Sequence, residues 1–155
     1  MPGNEECCRP GAMSGPCPGC GTVGHPIGAI TLQNHLPSER QADFGPRGSF
    51  CAAPACDVVY FNPGGKTIKR GQTVRPVTVK EQGGEVPVCY CFEFRRGDLR
   101  RDLEENGATG IPDEIKKGIK DGRCDCERKN PQGTCCLGNV AAAVKLIQQE
   151  TARRR

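Results

Sequence analysis

Twelve cysteines, arranged as six close pairs, are the feature that most constrains the fold of this 155-residue chain. The pairs are Cys7-Cys8, Cys17-Cys20, Cys51-Cys56, Cys89-Cys91, Cys124-Cys126 and Cys135-Cys136. A close pair suits a metal centre, because one loop delivers two thiolates to an ion while a distant loop supplies the others. The spacing therefore favours metal binding over a disulfide framework.

The remaining composition explains why the chain needs metal centres. Phe, Tyr and Trp together number 7 residues, whereas Gly and Pro together number 34. A chain of this length forms one domain or two small ones, and so few large apolar side chains support only a small hydrophobic core. We expect bound metals to supply part of the missing stability.

Several classes of protein are disfavoured by the sequence. The N-terminus MPGNEECCRPGAMSG lacks a basic start followed by an apolar run, so no signal peptide is visible. No run approaches the roughly 20 apolar residues that a membrane span needs. The sequence also has no P-loop, no G-x-G-x-x-G after a strand and no Ser-His-Asp pattern. We therefore expect a cytoplasmic chain with reduced thiols, no membrane insertion and no enzyme activity.

The order of local patterns predicts an α+β fold with two subdomains. Residues 1–14 are expected to form a flexible tail, residues 15–82 a small β-rich subdomain and residues 86–151 a small helical subdomain. Short β-prone runs between turn signals predict strands that begin at Pro26, Ser49, Asp57, Lys66 and Val74. The stretch EQGGEVP, residues 81–87, indicates a linker between the two subdomains.

Three helices are predicted in the second subdomain. In RGDLRRDLEENG, Asp98 is the expected N-cap and Gly107 the expected stop. In IPDEIKKGIK, Pro112 stands in the first turn and isoleucines recur on one face. The last helix is expected from Asn139, with its arginines at the C-terminal end, where they favour the helix dipole.

Two motifs of the first subdomain, CPGCG and FCAAPAC, form a zinc-binding pattern. Cys17 and Cys20 lie in a knuckle turn whose amides can hydrogen-bond the thiolates, and Cys51 and Cys56 complete a tetrahedral set of four thiolates. Four protein ligands leave no open position, so the predicted zinc is structural. The only two histidines, His25 and His35, are alternative ligands of a mixed site, and His35 is expected at a strand end.

The later cysteines suit an iron–sulfur cluster. Cys89 and Cys91 can both reach one iron from a tight loop, and a returning pair can hold the second iron of a [2Fe-2S] cluster. By spacing alone, the returning pair is Cys124 or Cys126 together with Cys135 or Cys136. Zinc could occupy the same four thiolates, so spacing leaves the metal open.

Four blocks in order, CPGC, FCAAPACDVVYF, VCYC and NPQGTCC, resemble the N-terminal domain of archaeal-type CopZ copper chaperones. The resemblance implies a small β-rich zinc-binding subdomain followed by a helical [2Fe-2S] subdomain of the bacterioferritin-associated ferredoxin (BFD-like) type. It implies cluster ligands at Cys89 and Cys91. It also implies a third ligand shortly before Asn130-Pro131, which matches Cys126, and a fourth in the terminal pair, where Cys136 is preferred; Cys124 and Cys135 are the alternatives.

The resemblance also implies a function. The cluster would supply one electron to reduce Cu(II) to Cu(I), which a copper-binding module then captures. The Met-x-Cys-x-x-Cys motif of the family's copper-carrying domain does not occur in these 155 residues. We therefore expect a redox half that serves a separate carrier, with a redox partner protein and a copper carrier or copper-transporting ATPase as partners. Cys7 and Cys8 are a further candidate Cu(I) site.

Two other functions fit the same residues: a BFD-like ferredoxin unrelated to copper, and a zinc-stapled interaction module without redox activity. The formal net charge of +4 could suggest nucleic acid. A four-thiolate zinc site and an oxidised [2Fe-2S] site each contribute about −2, however, which brings the metallated chain close to neutrality. We therefore predict no nucleic-acid partner.

Overall fold

A four-stranded antiparallel sheet organises the first half of the computed structural model, which describes residues 15–81 and 83–154. Its strands lie side by side in chain order: β1 (His25–Ile27), β2 (Gly48–Phe50), β3 (Val58–Phe61) and β4 (Thr67–Lys69). Two short helices fill the connection between β1 and β2, namely α1 (Ala29–His35) and α2 (Ser38–Phe44). The predicted tail, with Cys7 and Cys8, lies outside the described residues.

The core of the first half forms where the sheet meets α1 and α2. Phe50 of β2 pairs with Tyr60 of β3, and Tyr60 pairs with Ile68 of β4, so all three side chains belong to one buried cluster. Leu32 and Leu36, four residues apart in and after α1, complete it. A second, smaller buried cluster contains Cys17 and Cys51, which places these thiols inside the protein rather than on its surface.

The second half consists of a short hairpin and helices. The hairpin pairs β5 (Pro87–Cys89) with β6 (Phe94–Arg95). The helices of the described residues are α3 (Arg96–Asn106), α4 (Ile111–Lys120), α5 (Cys126–Lys129) and α6 (Leu137–Arg154). Their core is built from apolar residues at helical spacing, including Leu99, Leu103, Ile111, Ile115, Val140 and Ile147. The mixed sheet and helix content confirms the predicted α+β class.

The three predicted helices form, with one correction at a helix end. Helix α3 is capped by Arg95, and Asp98 lies in the first turn, where its carboxylate accepts a hydrogen bond from the Arg95 amide at 2.9 Å. Asp98 therefore supports the helix start but is not the N-cap. Gly107 ends the helix in the left-handed conformation, with φ of 74°, as the sequence predicted.

One predicted strand is too long and another does not form. The run from Pro26 is extended only to Ile27 and then becomes α1, because Leu32 and Leu36 reach the core at a spacing of four residues. The buried His35 therefore lies in the last turn of a helix, not at a strand end. The run from Val74 is irregular, because Pro76 has no amide to donate and the Val77 amide donates to the Glu81 carboxylate at 2.8 Å.

Candidate metal centres

Four cysteines of the first half lie together at one end of the sheet. Cys17 and Cys20 occupy a turn closed by a bridge between Pro16 and Val23, and the Cys51 amide still donates to Val59 of β3. The four sulfurs of Cys17, Cys20, Cys51 and Cys56 lie within 4.8 Å of one another. The Cys17–Cys56 and Cys20–Cys51 sulfur pairs are 3.8 Å and 3.7 Å apart. A tetrahedron with Zn–S bonds of about 2.3 Å has edges of about 3.8 Å, so the set fits a zinc ion.

The knuckle turn is shaped to approach the thiols closely. The Gly19 amide donates to the Cys17 sulfur at 3.3 Å, which confirms the predicted contact between the turn's backbone and a thiolate. A Cβ atom at Gly19 would lie only 3.0 Å from the Cys56 sulfur. Glycine therefore lets this turn pack directly against the four-cysteine group.

The four thiols differ in how readily they ionise. Hydrogen bonding with Thr22 lowers the pKa of the exposed Cys20 to about 6. Burial raises the pKa of Cys51 to about 12 and also raises the pKa of Cys56. A metal ion must therefore displace protons from the buried thiols, and positive charge nearby favours their ionised form.

Lys80 supplies such a charge, and sequence reasoning missed it. Its side chain is only 1% exposed. Its ammonium donates to the carbonyls of Ala53 at 2.6 Å and Cys56 at 3.0 Å, and lies 3.6 Å from the Cys51 sulfur. No local signal marks this residue, because VRPVTVK resembles an ordinary strand and the contact spans 29 residues of sequence.

Neither histidine joins the four thiols. His25 is exposed at the start of β1. His35 is buried, and its Nε2 lies 3.1 Å from the Arg128 carbonyl, which only accepts hydrogen bonds, so Nε2 carries the proton. Its Nδ1 is buried without a hydrogen-bond partner, and burial lowers the pKa of His35 to about 4. The structure therefore holds His35 as a neutral ring outside the group of four thiols.

A second group of four cysteines lies where the hairpin meets the helices. Cys89 ends β5, Cys91 lies in the hairpin turn, Cys126 begins α5, and Cys136 directly precedes α6. The sulfurs of Cys91 and Cys126 are 3.5 Å apart, and the Asp125 amide donates to the Cys91 sulfur at 3.0 Å. Three separate segments thus bring four thiols together.

The thiols of this second group interact strongly with one another. Hydrogen bonding with Cys136 lowers the pKa of Cys89 to about 7 and that of Cys126 to about 6. The same contacts raise the pKa of Cys136, and burial raises the pKa of Cys91 to about 12. Such mutual contact is expected of a set of side chains that shares one metal centre.

The structure distinguishes between the alternative cysteines that spacing left open. Cys136 is buried and Cys126 is half-buried, and both contact the other members of the group. Cys124 and Cys135 are exposed. The structure therefore brings together Cys89, Cys91, Cys126 and Cys136, which is the set that the family resemblance implied, and ligation by these residues stays a prediction.

The two groups also differ in shape. Within residues 15–81 and 83–154, the first group is the one set of His, Cys, Asp or Glu side chains with three or more ligand atoms all within 4.8 Å of each other. The second group is therefore more open. A single tetrahedral ion needs the compact arrangement, whereas a cluster with two irons needs ligands that are spread over both.

Comparison with known proteins supports the first of these centres directly. Residues 14–75 match the CopZ zinc-binding domain family, whose model is described as "Zinc binding domain". All four cysteines of the first group lie inside this match. The first half of the chain is thus similar to the CopZ zinc-binding domain.

Two further likenesses extend past the zinc-binding domain. The chain is 34% identical over 125 residues to the copper chaperone CopZ of Archaeoglobus fulgidus, an alignment that covers 77% of this chain and 57% of that protein. The chain thus spans somewhat more than half the length of this curated relative. It also resembles the X-ray structure of the Archaeoglobus fulgidus CopZ N-terminal domain, with a TM-score of 0.67 and 28% identity, covering 82% of this chain and 95% of that one.

The chain is therefore similar to CopZ, and it shares the α+β fold of the CopZ N-terminal domain. The named relative is a copper chaperone. Within the described part of the chain, none of the helices combines the length and hydrophobicity that a membrane span needs. The BFD-like character of the second half stays a prediction.

Proposed function

We propose that this chain is a zinc and iron–sulfur protein that transfers single electrons as the redox half of a copper chaperone system. One observation carries the proposal: the fold gathers eight of the ten described cysteines into two groups of four. The first group would hold Zn²⁺ through Cys17, Cys20, Cys51 and Cys56. The second would hold a [2Fe-2S] cluster through Cys89, Cys91, Cys126 and Cys136.

The two centres would have different tasks. Four thiolates close the coordination sphere of zinc and leave no position for a substrate, so the first centre would only stabilise the fold. A [2Fe-2S] cluster alternates between two states that differ by one electron, which matches the reduction of Cu(II) to Cu(I). The electron would come from a redox partner protein, and Cu(I) would pass to a separate carrier or a copper-transporting ATPase.

The surroundings of the second group suit an electron-transfer site. Cys89 and Cys136 are buried in the helical core, which keeps water away from their sulfurs. Cys136 directly precedes α6, and its carbonyl accepts from the Val140 amide at 3.0 Å, so its thiolate lies at the positive end of a helix dipole. An amide also donates to Cys91. The helix dipole and the amide each favour added negative charge, and therefore the reduced state.

The copper part of the proposal is supported by the similarity to a protein named as a copper chaperone. The reduced cysteines that it requires fit a cytoplasmic location. Cys7 and Cys8 stay a candidate Cu(I) site outside the described residues. Replacing both by Ser should abolish tight Cu(I) binding by the chain if they hold the ion.

Metal analysis and EPR of anaerobically purified protein test the cluster. We expect about two irons and one zinc per chain and, after dithionite reduction, a rhombic S = 1/2 signal. Cys126→Ser and Cys136→Ser should lose this signal, whereas the matched variants Cys124→Ser and Cys135→Ser should keep it. A colourless protein with two zincs after iron-replete expression would refute the redox function and leave an interaction module.

A copper assay separates the chaperone system from a ferredoxin unrelated to copper. Protein reduced by one electron per cluster and freed of excess dithionite is mixed with Cu(II) and a colorimetric Cu(I) chelator. We expect one Cu(I) for each cluster oxidised. A cluster that stays reduced in the presence of Cu(II) would exclude the copper role while leaving electron transfer intact.

A further inference from the structure

We propose that buried side chains of the first half position the ligands of the second cysteine group, so that these contacts control how firmly the second group holds iron. This inference rests on the proposed function, since it assumes a cluster at Cys89, Cys91, Cys126 and Cys136. It concerns residues that are not ligands themselves and that lie in the other half of the chain.

Three buried side chains of the first half hold the segment that follows Cys126. The Thr31 hydroxyl donates to the carbonyl of Glu127, the His35 ring to that of Arg128, and the Tyr60 hydroxyl to that of Pro131. Thr31 and His35 lie in α1, which packs against α5. All three side chains are at most 2% exposed, so water does not compete for these hydrogen bonds.

The helix that begins at Cys126 is too short to satisfy its own carbonyls. Helix α5 has only four residues, and its last carbonyls therefore have no partner within the helix. Two donors from the first half take the place of the missing helical amides at Glu127 and Arg128, and Tyr60 holds the turn that follows at Pro131. The position of Cys126, at the first residue of α5, thus depends on side chains that are 66 to 95 positions away in sequence.

The loop that carries Cys89 and Cys91 also contacts the first half. Tyr90 lies between Cys89 and Cys91, and its buried hydroxyl donates to the carbonyl of Pro76. Its ring contacts His35 edge-on, with 6.4 Å between ring centroids, and the Arg75 guanidinium lies 5.0 Å from its centroid. Two of the three segments that carry the second group therefore contact the first half, and both of them contact His35.

Such outer contacts fix the orientation of metal ligands, and their loss typically lowers metal affinity by about 10–100-fold. Thr31→Val and Tyr60→Phe each remove one hydroxyl and keep the shape of the side chain. The double variant should therefore release iron at least about 10-fold faster than the unmodified protein. We also expect a shifted or broadened EPR signal, because the ligands would lose their fixed geometry.

The test measures iron release to a chelator under anaerobic conditions, together with EPR of the reduced protein, zinc content and the thermal unfolding temperature. Thr73→Val is the matched control, because its hydroxyl donates to the Arg75 carbonyl at 2.7 Å within the first half. Thr31→Ser keeps a hydroxyl at this position and should release iron as slowly as the unmodified protein. Tyr60→Phe alone provides the same comparison if the double variant does not fold.

The outcomes separate this inference from the proposed function. Faster iron release and an altered EPR signal in the double variant, with zinc content unchanged, support the positioning role. Release and EPR signals equal to those of Thr73→Val overturn it while leaving the cluster in place. An unmodified protein that contains no iron overturns the proposed function, and the inference with it.

Discussion

Replacing Lys80 by Met tests the connection between the fold and the zinc-binding site. The ammonium is fully enclosed, donates to the carbonyls of Ala53 and Cys56, and lies 3.6 Å from the Cys51 sulfur. A buried charge is tolerated only when polar partners compensate it. Methionine has a similar shape without the charge, so the variant removes the hydrogen bonds and little of the packing.

The structure sets the size of the expected effect. The Ala53 carbonyl still accepts from the Cys56 amide at 3.2 Å, so the change leaves one half-buried acceptor, the Cys56 carbonyl, without its lysine donor. An acceptor without a partner costs about 1–3 kcal/mol, and the free energy of unfolding should fall by that amount. A typical domain is stabilised by about 5–15 kcal/mol, so such a loss is measurable. Loss of the positive charge beside a dianionic four-thiolate site should lower zinc affinity by about 10–100-fold.

Lys66→Met is the matched control, because Lys66 pairs with Asp43 at 2.8 Å while both side chains are more than half exposed. Exposed ion pairs contribute about 0–1 kcal/mol. Urea denaturation of the zinc-loaded proteins and competition with a chromogenic chelator give the two quantities. The reasoning fails if Lys80→Met matches Lys66→Met in stability and retains zinc as tightly as the unmodified chain.

Two further predictions concern packing and pH. A Cβ atom at Gly24 would lie 2.6 Å from the buried Phe61 ring, so Gly24→Ala should lower the free energy of unfolding by about 1–3 kcal/mol. Gly64→Ala is the control, because its Cβ would meet only Asn62 Oδ1, at an ordinary contact distance of 3.5 Å, and urea denaturation measures both variants. His35 has a pKa of about 4 in the folded protein against 6.5 as its ordinary value. The unfolded chain therefore binds more protons between these values, and stability should fall, by up to about 3 kcal/mol, as pH drops through this window. His35→Gln should lose this pH dependence of stability, and His25→Gln should keep it. Acid also releases metal, but it does so equally in the two variants. Equal slopes of stability against pH in the two variants would contradict the assignment to His35.

The parts of the fold that the sequence predicted are those with strong local signals. Helices α3 and α4 carry apolar residues at helical spacing together with a Gly stop or a Pro start, and both form as expected. The short strands around Ser49, Asp57 and Lys66 are also confirmed in place. The sequence did not predict helix α1. Its first three residues are small or β-branched, which favours a strand, and its burial depends on contact with the four-stranded sheet.

The sequence predicted which cysteine pairs contribute to each candidate centre, but not which cysteine of a pair joins the group. Spacing identifies which loops carry two thiols, because it depends only on local reach. It cannot tell Cys124 from Cys126, since that choice depends on α5 beginning at Cys126 and on the side chains of the first half that hold it. Lys80 had no signal in the sequence, because a buried cation is defined by distant carbonyls.

The irregular segment from Pro76 to Glu81 shows how the two centres are physically joined. On one side, Lys80 extends from this segment to the first cysteine group. On the other side, the Arg96 guanidinium donates to the carbonyls of Glu81 at 2.7 Å and Thr78 at 3.0 Å, and Thr78 donates to Pro87 at 2.6 Å. In a strand, the carbonyls of Thr78 and Glu81 would bond a neighbouring strand. The irregular backbone instead lets them accept from Arg96 of the second half. The segment is therefore fixed from both sides: Lys80 holds it to the first cysteine group, and Arg96 holds it to the second half.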